Sequence, residues 1–123
     1  MKVVRVFGAD LTAPGEARRS IGVLEGALPQ TLVEDLRLVI SELVTNSVLH
    51  AGLKTGDPIG LTVDVSAERV RVEVVDWGTR APRPMEPVDE HGRGLAIVQQ
   101  VADRWGTGWN SEAGVVWAEL DVA

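Results

Sequence analysis

The chain has 123 residues, 45% of them apolar, and carries a net charge of −6 with a pI near 4.8. That length supports one domain with one core, and that composition excludes wholesale disorder. The acidic balance argues against a nucleic-acid surface, which needs a basic face, and the absence of Cys excludes disulfides, thiolate metal sites and cysteine nucleophiles.

Lys2 to Phe7 is rich in Val and predicts a first strand. Pro14 suits the first turn of a helix, with Thr12 or Ala13 as its cap. Ala17, Ile21, Leu24 and Leu28 recur along that helix, and Gly26 and Pro29 end it. Thr31-Leu-Val-Glu34 has the form of a capping box. It predicts a long helix to about Ala51, stopped by Gly52, with Leu32, Leu36, Val39, Ile40, Leu43 and Ser47 on one face. Ile59, Leu61, Val63 and Val65 alternate with polar residues or Gly, as do Val70, Val72 and Val74 with Arg69, Arg71 and Glu73. These are two half-buried strands joined at Ser66-Ala67-Glu68. Residues 77–93 show no period and are rich in Gly, Pro and charge, which marks a functional or disordered loop. Gly94 opens a short helix with Leu95, Val98, Val101 and Ala102 inward. Trp105 to Asn110 and Gly114 to Val122 predict a closing hairpin. This order predicts an α+β fold, a two-layer α/β sandwich with a mixed β-sheet and helices on one face, with residues 1–123 as a single domain.

No stretch approaches the roughly 18 uncharged apolar residues of a membrane helix, and the apolar run after Met1 is too short for a signal peptide. A cytoplasmic protein without membrane contact is the expectation.

Three groups of residues carry candidate chemistry. Glu42 and Asn46 are four apart on the long helix, so they lie about 40° apart on one margin of the apolar stripe. Asn46 offers a neutral oxygen suited to Mg²⁺, and Glu42 a base able to orient water or deprotonate a hydroxyl. Taken alone, the pair is equally the mark of a solvated helix margin. His50 lies on the stripe itself, where a core or capping histidine is the simpler reading. Asp76-Trp77-Gly78 ends a strand. A carboxylate there can accept from an amino group such as adenine N6, although Asp and Gly also make ordinary turns. Gly92-Arg93-Gly94 opens a helix whose N-terminal N–H groups attract phosphate. His91, Arg80 and Arg83 add positive charge that Glu86, Asp89 and Glu90 dilute. There is no P-loop, and no βαβ unit surrounds the glycines as a Rossmann site requires.

Taken together and in this order, the groups are far more specific. Glu42-Leu-Val-Thr-Asn46-Ser-Val-Leu-His50-Ala51 resembles the N box of the Bergerat-fold (GHKL) ATPases. Asp76-Trp-Gly78 resembles the start of their G1 box, and Gly92-Arg-Gly94-Leu-Ala-Ile-Val98 their G2 box. The small size and the string Glu-Leu-Val-Thr-Asn look most like the bacterial anti-sigma factor serine/threonine kinases. The resemblance implies ATP and Mg²⁺ as cofactors. It makes Glu42 the general base and Asn46 the Mg²⁺ ligand, and gives Asp76 the adenine amino group. Gly78 would flank the ring, and Gly92, Arg93 and Gly94 would approach the phosphates. Residues 79–91 would form the lid. It implies two protein partners, a sigma factor and an anti-sigma-factor antagonist that receives the phosphate, and similar proteins are often homodimers.

Two positions depart from the pattern. Arg80 stands where the G1 box usually has a second Gly, and Val115 where a Thr often follows the glycine of the last strand. The first implies an altered lid, the second a lost hydroxyl beside the adenine. Both mildly favour the alternative reading, a non-catalytic nucleotide-sensing module that binds a partner. A detached sensor-kinase domain fits less well, because no phosphoacceptor-bearing helix pair precedes the motifs.

Overall fold

The computed structural model describes residues 1–50, 53–77, 95–109 and 113–122. Five strands form one sheet: β1 (Lys2–Gly8), β2 (Pro58–Val65), β3 (Arg69–Asp76), β4 (Arg104–Trp109) and β5 (Gly114–Asp121). Three helices accompany it: α1 (Ala13–Ser20), α2 (Gln30–His50) and α3 (Leu95–Val101). The spatial order is β1-β2-β3-β5-β4.

The expected two-layer sandwich is present, but the sheet is antiparallel at every described pairing rather than mixed. The crossover through α3 does join two strands that run the same way, β3 and β4. β5 then folds back from β4 and inserts between them, so the parallel pair never meets.

One helix end and one helix start differ from expectation, while α1 begins after Thr12 in the N-cap position as expected. The first helical stretch ends at Ser20 and tightens into a 3₁₀ turn over Ile21–Leu24, so Leu28 lies beyond it. The Ser20 hydroxyl donates to the Ala17 carbonyl at 2.6 Å, and Gly26 then turns the chain with φ of 83°. Thr12 does not cap α1 with its side chain. Its hydroxyl donates to Asp10 Oδ1 at 2.5 Å instead, which holds that carboxyl below the usual carboxylate range. The long helix begins at Gln30, which puts Thr31 inside the first turn. The Pro29 carbonyl accepts from the Val33 N–H at 3.1 Å, so the box at Thr31 and Glu34 is not the cap.

The stripe on α2 is buried as its spacing requires: Leu36, Val39, Ile40 and Leu43 are fully enclosed, together with Val33 and Val44. They pack on the inward row of the sheet, Ile59, Leu61, Val63, Val70, Val72, Val74, Val116, Ala118 and Leu120. Leu95 and Val98 of α3 complete the layer.

The outward face of the sheet divides into two halves. One half is a row of charges: Lys2, Asp64, Arg71, Glu119 and Arg104 lie on successive strands in that order. Glu119 accepts from Arg104 Nε at 2.8 Å and from Arg71 at 3.1 Å, and the Arg104 bond above all holds its carboxyl below the ordinary range. The other half carries Thr62, Glu73 and the Trp117 and Trp77 rings beside small glycines. There the Trp117 indole lies across Gly106, with the Arg71 guanidinium 4.5 Å from the ring centroid.

A Cβ on Gly106 would sit 2.8 Å from Trp117 Cζ2. Gly106→Ala is therefore expected to displace the indole and cost about 1–3 kcal/mol. At Gly108, two residues along β4, a Cβ meets nothing within 4 Å, so Gly108→Ala is the control. Urea unfolding followed by tryptophan fluorescence checks the contrast. Equal midpoints for the two variants would contradict it.

Candidate functional site

Among the described residues, α2 meets the end of β3 at Asp76. Along β3 the inward positions are Val70, Val72, Val74 and then Asp76. A period of two thus delivers a carboxylate to the place where the next core side chain would stand. Trp77 points the other way. Its ring lies over Gly60 on the outward face, so it does not line the cleft.

α2 supplies the opposite wall. Glu42 and Asn46 are both half-buried, at the margin of the helix beside the enclosed Val39 and Leu43. The next residue, Ser47, is 2% exposed and is the one polar side chain among the buried described residues. Its hydroxyl donates to Asp76 Oδ2 at 3.3 Å. This bond ties the Glu42–Asn46 margin to the end of β3, two elements 29 residues apart in sequence. Burial pushes the Asp76 carboxyl up from its ordinary value, and the Ser47 hydroxyl opposes that shift by favouring the ionised form.

β5 shapes the third side. Gly114 pairs with Asp76, and a Cβ there would lie 3.1 Å from Asp76 Oδ1. Val115 pairs with Val75 on the outward face, while Val116 turns inward and is 2% exposed. The missing hydroxyl at Val115 therefore has no bearing on the cleft, because the strand alternation turns that side chain away from it.

Gly78, Arg80, Gly92, Arg93 and Gly94, the 79–91 segment and the side chain of His50 lie outside the described residues. The structure thus joins Asp76 to α2 through Ser47, the residue that follows Asn46. Ser47 and Gly114 are additions. A serine in the middle of an aliphatic stripe was the available signal, since a buried hydroxyl requires a partner.

Among the described residues no group of three His, Cys, Asp or Glu could cage a metal. A lone amide oxygen at Asn46 fits Mg²⁺ nonetheless. That ion keeps several waters and is usually held by one or two protein oxygens plus substrate phosphates. No helix among the described residues is long and apolar enough to cross a membrane.

The sequence matches the histidine kinase-like ATPase domain over residues 7–118. The chain belongs to that family. The uncharacterized protein SCO4941 of Streptomyces coelicolor is similar, at 38% identity over 72 residues, which are 54% of this chain and 67% of that one. Among solved structures, the RsbU and RsbW domains of Rv1364c from Mycobacterium tuberculosis share the fold. The TM-score is 0.74 at 17% identity, over 98% of this chain and 31% of that one, so this chain spans about a third of the neighbour's length. Membership of this ATPase family supports ATP binding.

Proposed function

We propose that residues 1–123 form one Mg²⁺-ATP-binding domain of a cytoplasmic anti-sigma factor serine/threonine kinase. It would act on an anti-sigma-factor antagonist and bind a sigma factor, as a homodimer. The observation that carries the nucleotide reading is the Ser47–Asp76 bond, which ties α2, the helix that bears Glu42 and Asn46, to the end of β3. The kinase reading is supported by the motif order and by the fold shared with a structure that includes an RsbW domain.

In this reading Asp76 accepts the adenine amino group, with Gly78 beside the ring. Gly92, Arg93 and Gly94 present N–H groups and positive charge to the phosphates. Asn46 would hold Mg²⁺ through its amide oxygen, and the ion, when bound, neutralises phosphate charge. Glu42 accepts the proton of the acceptor hydroxyl as that oxygen attacks the terminal phosphorus, whose bond to the β,γ-bridging oxygen breaks so that ADP leaves with that bonding pair. Little else is needed, because phosphoryl transfer relies chiefly on positioning and charge stabilisation. The sensing-module alternative keeps only Arg80 in its favour, since Val115 faces away from the cleft.

Calorimetry with ADP in the presence and absence of Mg²⁺ tests the site. The wild-type protein is expected to bind with a Mg²⁺-dependent gain in affinity and a raised Tm. Asn46→Ala is expected to bind equally with and without the ion. No heat and no thermal shift for the wild type at saturating Mg²⁺-ADP would end the nucleotide reading. An Asn46→Ala variant with the full Mg²⁺ effect would remove Asn46 from metal binding.

A further inference from the structure

We propose that Ser47 and Gly114 are positioning residues for Asp76. Together they fix the orientation of its carboxylate and so set the preference for a purine carrying a 6-amino group over one carrying a 6-oxo group. The inference rests on the nucleotide reading above for its ligand, but on the geometry alone for the positioning.

A carboxylate at the end of an apolar row can rotate unless both of its oxygens are constrained. Here they are constrained from opposite layers. The Ser47 hydroxyl reaches Oδ2 from α2 at 3.3 Å. On β5, Oδ1 occupies the space that the absent side chain of Gly114 leaves open, 3.1 Å from where a Cβ would stand. Oδ2 is thereby engaged, and Oδ1 keeps its lone pairs for a donor entering the half-buried cleft. A 6-amino group donates to that oxygen. A 6-oxo group presents a second acceptor and is repelled. Neither residue touches the ligand in this account; both act through Asp76.

The same bond sets the pH range of recognition. Burial raises the Asp76 pKa and the Ser47 hydroxyl lowers it, so removing the hydroxyl moves the titration upward. The other titratable groups on the elements around Asp76 are Glu34, Asp35, Arg37, Glu42 and His50 on α2, Asp57 before β2 and Asp64 near its far end, Arg69, Arg71 and Glu73 further back along β3, and Glu119 and Asp121 at the far end of β5. Ser47→Ala changes none of them.

The test compares wild type, Ser47→Ala, Ser47→Thr and Gly114→Ala in the 123-residue chain, with ADP and inosine diphosphate as probes. One readout is the ratio of the two Kd values across pH. The other is the carbon-13 titration of the Asp76 carboxyl without nucleotide. Ser47→Ala is expected to lose about five- to tenfold of the ADP preference, the scale of one hydrogen bond. Its Asp76 midpoint should rise, and Ser47→Thr should restore both. Gly114→Ala should lower ADP affinity by displacing Oδ1. If Ser47→Ala leaves both the midpoint and the ratio unchanged, the proposal is overturned. It is also overturned if Ser47→Thr behaves as Ser47→Ala does, because the hydroxyl is then not the cause. A wild type that binds neither probe, with an Asp76 midpoint that still shifts in Ser47→Ala, retains the positioning and refutes the purine preference together with the nucleotide reading.

Discussion

Asp76→Asn is expected to make the nucleotide-free protein more stable while weakening ADP binding roughly 10- to 150-fold, the span expected for a hydrogen bond to a charged group. Both effects have one origin. Burial raises the folded-state pKa of Asp76, so the folded protein holds an ionised carboxylate at neutral pH at some cost, whereas the unfolded chain solvates it fully. The cost is present above the folded-state pKa. It falls as pH drops through that value and is gone below the ordinary carboxylate range. Asparagine has the same shape, still offers an oxygen to Ser47 and carries no charge. Its Tm advantage over wild type should therefore be largest near neutral pH and vanish in acid. ADP affinity should show the converse in the wild type, full above the raised pKa and lost as pH falls through it. Competition by free pyrophosphate should persist in the variant. Calorimetric melts at several pH values decide the first part. An Asp76→Asn protein less stable than wild type at neutral pH would show that the carboxylate makes a structural contribution that burial does not reveal.

Glu42→Ala should separate binding from transfer. A general base contributes about 10²- to 10⁴-fold to rate, and it acts on the acceptor hydroxyl rather than on the nucleotide. The variant is expected to bind ADP within a few-fold of wild type, since Glu42 is half-buried at the margin of α2 and the stripe behind it is untouched. Phosphate transfer to an antagonist serine or threonine should fall by that factor. Radiolabelled ATP with candidate antagonists measures it. Unchanged labelling by the variant would take Glu42 out of the mechanism. Tight ATP binding by wild type with no labelled antagonist would favour the sensing module instead.

Periodicity made most of the fold legible. The valine alternation located β2 and β3 because each strand has one buried face, and the α2 stripe was readable because Leu36, Ile40 and Leu43 all meet the same sheet. Strand direction was not legible, since a period of two carries no sense of which neighbour a strand will pair with. Only the insertion of β5 made the sheet antiparallel throughout. The start of α2 was misplaced because Thr31 satisfies the cap pattern while the bond from the Val33 N–H to the Pro29 carbonyl is visible only in three dimensions; Thr12 does hold the N-cap position of α1, but gives its hydroxyl to Asp10. At the site, Glu42, Asn46 and Asp76 stood out as polar groups at the margin or end of an apolar pattern. Ser47 was read as part of the apolar stripe, since a small hydroxyl fits such a face. Gly114 gave no signal, because its significance is the carboxylate across the ladder.

The position of β5 bears on how the protein emerges from the ribosome. β5 is made after both of its neighbours, and β4 has no other partner among the described strands. A nascent chain that has exposed everything up to Trp109 holds three paired strands and leaves the outer edge of β3 bare. Such an edge readily accepts a strand from another molecule. Closing it requires residues 114–121 to pair with β3, bringing β4 along on their other edge, a non-local step of the kind that slows folding. The same step brings Gly114 against Asp76. The growing polypeptide is therefore vulnerable to misassociation until Gly114 stands opposite Asp76, and the pairing that covers the β3 edge also completes the surroundings of that carboxylate.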